Sequence, residues 1–266
     1  MEKNTHHHVR RSVIGMLLLL GLTIGISRPE AAETVVVSAG AGLKDAFNEM
    51  RTAFEGQHPQ VTLRLNFAGG PHLAGQIEQG AQVDLFGAAN PLEVDRLAAR
   101  NLVLERATIA RNRMVVIVAS GHARRITQVG DLATERVRLI IGTAQLPAGR
   151  YAREFIRKVH AAGVYDRFQE RVMANVVSEE TDVRSIALKV ALGEGDAGVV
   201  YVSDITADIR DKVTVIPIAP AYNVAAEFVL ARISSGTNAH GGRAFYEFVR
   251  SPAGVAILVK NGFLAP

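Results

Sequence analysis

Glycine-rich turns are the features of this sequence that could carry chemistry, because each follows a strand-like segment and opens a helix-like one. The three turns are Ser38-Ala39-Gly40-Ala41-Gly42, Phe67-Ala68-Gly69-Gly70-Pro71 and Ala144-Gln145-Leu146-Pro147-Ala148-Gly149, with a fourth helix start at Glu180-Thr181-Asp182-Val183. The first N–H groups of a helix lack intrahelical acceptors and lie at its positive end. Glycine lets the backbone approach a ligand closely. Such turns converging on one cleft would bind an anion without Arg or Lys.

Two other interpretations of these turns stay open at this point. Any α/β protein has tight turns between strands and helices, and these turns fit that role as well. Gly40-Ala41-Gly42 also resembles the start of a dinucleotide-binding fingerprint, but Asp45 occupies the third glycine position. That motif requires its full context, which is not met here.

Signatures of catalysis are missing from the sequence. It contains no Gly-x-Ser-x-Gly elbow, no loop ending in Gly-Lys-Ser/Thr and no paired histidines of a metal-binding helix. It also has no cysteine, which excludes disulfides, thiolate metal sites and a thiol nucleophile. The acidic pair Glu179-Glu180 is interpreted as the start of a helix, where carboxylates complement the helix dipole. We therefore predict no catalytic residues, no metal ligands and no enzyme activity.

The charge balance argues against a nucleic-acid partner. The 266 residues carry 30 basic and 26 acidic side chains, a formal charge of +4. Four of the basic and two of the acidic residues fall in the first 32, so 26 basic and 24 acidic residues remain after them. A nearly balanced surface lacks the basic footprint of nucleic-acid binding.

The N-terminus resembles an export signal. Arg10 and Arg11 precede an apolar run over residues 13–26, and Ala31 and Ala32 follow it. A basic head, an apolar run and small residues are typical of a signal peptide, here residues 1–32 with cleavage near Ala31 and Ala32. The alternative of a membrane anchor is disfavoured because the run is short of the roughly 20 residues needed to span a bilayer. Arg10-Arg11 also leaves a twin-arginine signal open, although its flanking residues fit poorly. Localisation in the periplasm is expected.

Beyond residue 33, strand-like and helix-like segments alternate. Strands are predicted at 34–38, 61–67, 84–88, 114–119, 138–142, 197–202, 213–218 and 225–233. Helices are predicted at 43–57, 72–79, 91–99, 149–162, 182–192, 241–249 and 252–261. Such alternation is typical of α/β proteins whose parallel sheets are flanked by helices.

Several of these segments together resemble a known family. The residues concerned are Val35-Val36-Val37-Ser38-Ala39-Gly40-Ala41-Gly42-Leu43, Leu73-Ala74-Gly75-Gln76-Ile77-Glu78, Asp84-Leu85-Phe86, Pro147-Ala148-Gly149-Arg150-Tyr151-Ala152, Asp182-Val183-Arg184, Gly198-Val199-Val200-Tyr201-Val202-Ser203-Asp204, Ala244-Phe245-Tyr246-Glu247-Phe248 and Asn261-Gly262-Phe263. In order and spacing the chain resembles the periplasmic molybdate-binding proteins of ABC importers, over nearly all of residues 34–264.

The resemblance implies a two-lobed periplasmic-binding-protein fold of type II, each lobe a mainly parallel sheet flanked by helices. Lobe 1 would comprise 33–115 and 226–266, and lobe 2 would comprise 116–225. A tetrahedral oxyanion, molybdate or tungstate, would lie between the lobes with no other cofactor. Its donors would be backbone N–H groups at Ala148 and Val183 and the Tyr201 hydroxyl. The partner would be an ABC permease in the inner membrane, and the protein would be a monomer.

The chain departs from the family pattern in the first lobe. The family normally supplies two serine hydroxyls, and here Gly42 and Gly70 occupy those positions. Their N–H groups remain as donors, but hydrogen bonds to charged groups contribute roughly 1.5–3 kcal/mol each. Ser38, His72 or water are the possible substitutes.

Two ligand hypotheses follow from this departure. Either molybdate or tungstate still binds, or the enlarged pocket takes a larger organic or phosphorus-containing anion with help from Arg150 or His72. Alternatives from other classes are an exported hydrolase and a ligand-sensing or adhesion protein that has lost transport.

Overall fold

The strands of this chain fall into two groups that share one long strand. The computed structural model describes Met1, residues 33–123 and residues 125–266, and Ala32–Pro266 form one compact unit. The predicted signal peptide lies outside the described residues. The strands are β1 (Glu33–Gly40), β2 (Val61–Ala68), β3 (Leu85–Ala88), β4 (Val103–Ala119), β5 (Leu139–Gly142), β6 (Val176–Glu180), β7 (Ala197–Tyr201), β8 (Val213–Pro217) and β9 (Ala225–Ile233). The helices are α1 (Lys44–Gln57), α2 (Gly70–Glu78), α3 (Pro91–Ala98), α4 (Pro147–Ala161), α5 (Phe168–Ala174), α6 (Val183–Ala191), α7 (Ala239–Arg250) and α8 (Pro252–Lys260).

The order of strands across the sheet is β2-β1-β3-β9-β4-β7-β5-β6, with β8 also paired to β4. We call β1, β2, β3, β9 and residues 103–113 the first strand group, and residues 114–119 with β5 to β8 the second strand group. Each group has two parallel pairs, β1 with β2 and β3, and β5 with β6 and β7. Every pairing of β4 and β9 is antiparallel. The α/β fold class is confirmed, with sheets that are mixed where the long strands lie.

Strand β4 changes partners halfway along its length. Arg113 is the last residue that pairs with β9, and from Met114 onward β4 pairs with β7. The Asn223 side chain bridges the gap before β9: its Oδ1 accepts from Met114 N at 3.0 Å and its Nδ2 donates to Met114 O at 2.9 Å. The lobe boundaries near residues 115 and 225 stay a prediction.

Hydrophobic periodicity explains how the helices attach to the sheets. In α4, Ala152, Phe155, Ile156 and Val159 follow the spacing of one helix face and are all fully buried. The short strands β5 and β7 are buried along their whole length, as expected for strands covered by helices on both faces. The core is continuous through both strand groups and reaches the carboxyl ends of the parallel strands.

One local prediction was wrong, one element was not predicted, and one predicted strand was too short. Glu179 and Glu180 do not begin a helix but end β6, where they form ion pairs with Arg153 and Lys189. Alternating exposure along this edge strand leaves a weak hydrophobic signal. Helix α5 (Phe168–Ala174) was not predicted from the sequence. Strand β4 begins at Val103 rather than at residue 114. Its first half was not predicted because it is only half-buried and carries charged side chains.

No helix within the described part of the chain combines the length and the apolar character that crossing a bilayer requires.

Candidate functional site

A small cavity of about 20 Å³ lies between the two strand groups. Its walls are the turns that follow the carboxyl ends of parallel strands, where ligands of open α/β sheets bind. The residues that line it are Gly40, Ala41, Gly42, Ala68, Gly69, Gly70, Ala89 and Phe228 from the first strand group, and Leu146, Pro147, Ala148, Asp182, Val183 and Tyr201 from the second.

All five predicted site residues line this one cavity. Gly70 and Val183 are the first residues of α2 and α6, and Ala148 is the second residue of α4. Gly42 lies in a 3₁₀ turn over residues 41–43 that leads into α1. Backbone N–H groups at such positions have no acceptor within their own helix. Four helix starts therefore meet at one cavity, although nothing in the structure tests whether these residues bind a ligand.

The local sequence explains why these helices start where they do. Pro147 is the first residue of α4 and Pro71 the second of α2, where a fixed φ suits the helix and a missing N–H costs nothing. Asp182 caps α6, since its Oδ1 accepts from Ser185 N at 2.9 Å and its Oδ2 from Ser185 Oγ at 2.7 Å. Asp182 is the only ionisable acid or base among the lining residues besides the tyrosine, and both its oxygens are occupied by Ser185.

Tyr201 contributes the one side-chain hydroxyl in the cavity wall. It ends β7 and is 1% exposed, and within the described residues its hydroxyl has no hydrogen-bond partner. A buried polar group without a partner costs about 1–3 kcal/mol. Burial raises the pKa of the Tyr201 phenol well above its usual range, so the hydroxyl keeps its proton and is available as a donor.

The apolar part of the cavity wall was not predicted from the sequence. Phe228 on β9 packs against the Tyr201 ring with centroids 5.3 Å apart and nearly perpendicular planes. Ala89 and Leu146 complete the apolar surface. An isolated Phe within a buried strand carries no sequence signal that distinguishes it from an ordinary core residue, whereas Leu146 lies in a turn that had been singled out.

Ser38 and His72, the side chains predicted as substitutes for the serine hydroxyls, do not line the cavity, and neither does Arg150, which was predicted to help bind a larger anion. Ser38 is buried within β1, with its Oγ 3.5 Å from Asn66 Nδ2. His72 faces a larger adjoining groove, and its Nε2 lies 3.0 Å from Gln76 Nε2. Arg150 forms an ion pair with the buried Glu93 at 3.1 Å. Each of the three side chains therefore has a polar partner outside the cavity.

The two glycines at the serine positions differ in the space around them. A Cβ built on Gly70 has no atom within 4 Å outside its own neighbours. A Cβ built on Gly42 would lie 3.3 Å from Asp204 Oδ1 and 3.6 Å from Val183 Cγ1. The side of the cavity at Gly70 is therefore open, whereas the side at Gly42 is filled by groups from the second strand group.

Contacts across the cavity join the two strand groups. Arg150 of α4 pairs with Glu93 of α3, and Arg184 of α6 pairs with Asp45 of α1. Gly69 comes so close to Thr181 that a Cβ at residue 69 would collide with the Thr181 carbonyl oxygen. The close approach of residue 69 to Thr181 therefore requires glycine at this position.

We expect Gly69→Ala to weaken anion binding about tenfold to a hundredfold, because overpacking at a backbone contact costs about 1–3 kcal/mol. Thr181 would have to move away, which separates the two sides of the cavity. Isothermal titration calorimetry measures the affinity, and circular dichroism verifies the fold. Gly70→Ala is the matched control, because its Cβ meets nothing within 4 Å. Equal affinities of the two alanine variants would contradict the prediction.

Comparison with known proteins identifies relatives of this chain. The family model described as bacterial extracellular solute-binding protein matches residues 35–264. Molybdate-binding protein ModA of Mycobacterium tuberculosis is 32% identical over 238 residues, which cover 89% of this chain and 87% of that protein. These relatives are solute-binding proteins rather than enzymes.

Two solved structures of solute-binding proteins are similar to this chain. The substrate-binding domain of a putative molybdenum ABC transporter from Clostridium difficile is 25% identical with a TM-score of 0.66, covering 88% of this chain and 99% of that one. The periplasmic molybdate-binding protein of Azotobacter vinelandii has a TM-score of 0.76 at 18% identity, covering 87% and 99%. The latter likeness establishes the fold alone, which is that of type II periplasmic binding proteins. By the match over residues 35–264, this chain belongs to the bacterial extracellular solute-binding protein family.

Proposed function

We propose that this protein binds a tetrahedral oxyanion, molybdate or tungstate, outside the cytoplasm and delivers it to an ABC permease. The observation that carries the proposal is the buried Tyr201 hydroxyl, which has no hydrogen-bond partner among the described residues and belongs to a residue that lines the same cavity as four helix starts. Both kinds of group are neutral donors that can surround an anion after it has lost its water. The names of the relatives support molybdate as the first ligand to test.

The proposed binding mode needs no cationic side chain. Helix N-termini favour negative charge, and N–H groups at fixed positions lose little entropy when they bind an oxygen. Gly42, Gly70, Ala148 and Val183 would each offer a backbone N–H, and Tyr201 would offer its hydroxyl. The apolar wall at Phe228 would exclude water, which strengthens hydrogen bonds to the charged ligand.

The proposed function also implies that the protein is exported and that an ABC permease is its partner. Relatives in this family work in the periplasm or outside the cell, and the N-terminal segment ending near Ala32 has the pattern of a cleaved signal peptide. A permease that reads the closed form of the protein would receive the anion. The proposal assigns no catalytic step to any residue.

A larger anion is a second candidate ligand, and the open side of the cavity favours it. Among the described residues, no atom outside its own helix backbone and chain neighbours lies within 4 Å of a Cβ built on Gly70, so a substituent on the anion would have room beside this residue. An organic phosphonate would fit this description, with its three oxygens on the N–H groups and its carbon substituent towards Gly70.

Titration of the purified protein distinguishes these ligands. After ligand is stripped by unfolding and refolding, the protein is titrated calorimetrically with molybdate, tungstate, sulfate, phosphate and methylphosphonate. We expect submicromolar binding of molybdate and tungstate, an affinity typical of tight specific ligands. Heat from methylphosphonate alone would support the second candidate. If the folded protein binds none of these anions, the proposed function is wrong.

Tyr201→Phe tests the proposed binding residue directly. Loss of one hydrogen bond to a charged ligand costs roughly 1.5–3 kcal/mol, so molybdate affinity should fall about tenfold to a hundredfold. Tyr151→Phe is the control, because the Tyr151 ring lies 6.4 Å from the Tyr201 ring but does not line the cavity. Equal affinities of the two variants would remove Tyr201 from the proposed site.

A further inference from the structure

Asp204 is a buried acid next to the cavity whose role the proposed binding mode does not explain. Its side chain is fully buried, and Oδ2 accepts from Tyr201 N at 2.9 Å. Within the described part of the chain, Oδ1 has no hydrogen-bond partner. That oxygen lies 3.3 Å from the position that a Cβ of residue 42 would occupy. The unpaired oxygen is thus directed at Gly42, in the wall of the anion cavity.

The charges around Asp204 only partly stabilise its ionised form. Arg184 faces Oδ1 with its Nε at 3.7 Å, beyond hydrogen-bond distance. Arg184 is also shared with Asp45 of α1, and Asp182 at the start of α6 adds another negative charge. Burial raises the pKa of Asp204 to about 6, while the Arg184 guanidinium and the Tyr201 N–H oppose the rise and Asp182 and Asp45 add to it.

An anion bound at the Gly42 N–H would lie close to the buried Asp204 carboxylate. Gly42 lines the cavity, and it has no side chain that could bond to the carboxylate. Asp204 itself lines the larger adjoining groove. Two negative charges separated by a few ångströms in a low-dielectric interior repel each other strongly. Protonation of Asp204 removes this repulsion and turns the unpaired acceptor into a donor.

We propose that Asp204 takes up one proton when an oxyanion binds, so that this residue couples anion affinity to pH. The proton comes from solvent and bonds to a carboxylate oxygen, with no other bond formed or broken. The proposal rests on the proposed anion site. Apart from its chain neighbours, Asp204 Oδ1 is the nearest atom to a Cβ built on Gly42.

The direction of the pH effect follows from the linkage. In the free protein Asp204 has a pKa of about 6 and is mostly ionised at pH 7. A bound anion raises that pKa further, so between pH 6 and the bound value binding takes up a proton. Affinity should therefore fall as the pH rises above 6, by up to about tenfold per pH unit for one proton. Below pH 6 the carboxyl is already protonated and this dependence fades.

The test uses the purified protein and molybdate at micromolar concentration. Calorimetry at pH 7.0 in two buffers with different ionisation enthalpies counts protons, and titrations from pH 6.5 to 8.0 give the affinity profile. We expect the wild-type protein to take up between about half a proton and one proton. Asp204→Asn should take up none, and its affinity should be flat over this range and higher than that of the wild type at pH 8.0.

Asp208→Asn is the matched control, because Asp208 is an exposed acid on the groove beside the cavity and its pKa is lowered by the Thr206 hydroxyl. This variant should keep the wild-type pH slope. If Asp204→Asn does not fold, carboxyl ¹³C NMR of the wild type with and without molybdate measures the Asp204 pKa directly. Binding without proton uptake, or an Asp204 pKa unmoved by molybdate, would overturn this inference alone. Absence of anion binding would overturn the proposed function as well.

Discussion

Gly70→Ser is expected to tighten molybdate binding by about tenfold to a hundredfold, since one added hydrogen bond to a charged ligand contributes roughly 1.5–3 kcal/mol. Apart from its own helix backbone and chain neighbours, the new Cβ meets no atom within 4 Å, so a serine side chain fits there without displacing other residues. Gly70 is also the first residue of α2, where serine is tolerated at little cost in helix stability. Calorimetric titration of the variant beside the wild-type protein measures the gain.

Gly42→Ser provides the matched comparison. Its Cβ would lie 3.3 Å from Asp204 Oδ1, and a hydroxyl there would donate to that unpaired acceptor rather than to the anion. The gain in affinity should therefore be much smaller than at residue 70. If neither serine changes the affinity, the ligand does not approach α2, and a site on the other side of the cavity has to be considered.

Gly149→Ala is expected to destabilise the whole protein. A Cβ at residue 149 would collide with the carbonyl oxygens of Gly142 and Thr143, which belong to the turn between β5 and α4. Neither oxygen is at the end of a flexible side chain, so the helix has to shift away from the strand. Overpacking of this kind costs about 3 kcal/mol in free energy of unfolding. For a chain of this size we expect the midpoint of thermal unfolding to fall by about 6–12 °C.

Gly75→Ala is the control for this substitution. Gly75 lies inside α2, and a Cβ there meets nothing within 4 Å. Alanine favours a helix interior over glycine by about 0.5–1 kcal/mol, so this variant should unfold at a slightly higher temperature. Differential scanning calorimetry measures the unfolding temperature of both variants. If the two variants unfold at the same temperature, the turn between β5 and α4 accommodates the added methyl group and the prediction is wrong.

The turns of the candidate site were predictable from sequence because their signals are local. Pro147 and Pro71 mark helix starts, and Asp182 is a typical capping residue. The resemblance to a family then indicated that these separate turns meet, which spacing along the chain alone does not determine. Sequence patterns did not reveal that Asp204 would be buried with one oxygen unpaired, because burial of a polar residue depends on contacts between distant segments.

The sheet was harder to predict at its edges and in its middle. Strand β6 alternates between exposed and half-buried residues at the sheet edge, so Glu179 and Glu180 looked like a helix start. The first half of β4 carries Glu105, Arg106 and Arg111, which concealed a strand paired on β9. Pairing with a distant strand stabilises these segments, and propensity carries no information about it.

The Asn223 amide has a mechanical consequence for this protein. It replaces the strand neighbour that Met114 lacks between the end of β8 and the start of β9, and it bonds to both the N–H and the carbonyl of Met114. A side-chain amide can swivel, whereas a ladder of backbone bonds cannot. The chain passes from one strand group to the other at this point, so β4 can undergo torsion there while its polar groups stay paired. Bending of β4 at this point would therefore leave the register of the strand pairs on both sides unchanged.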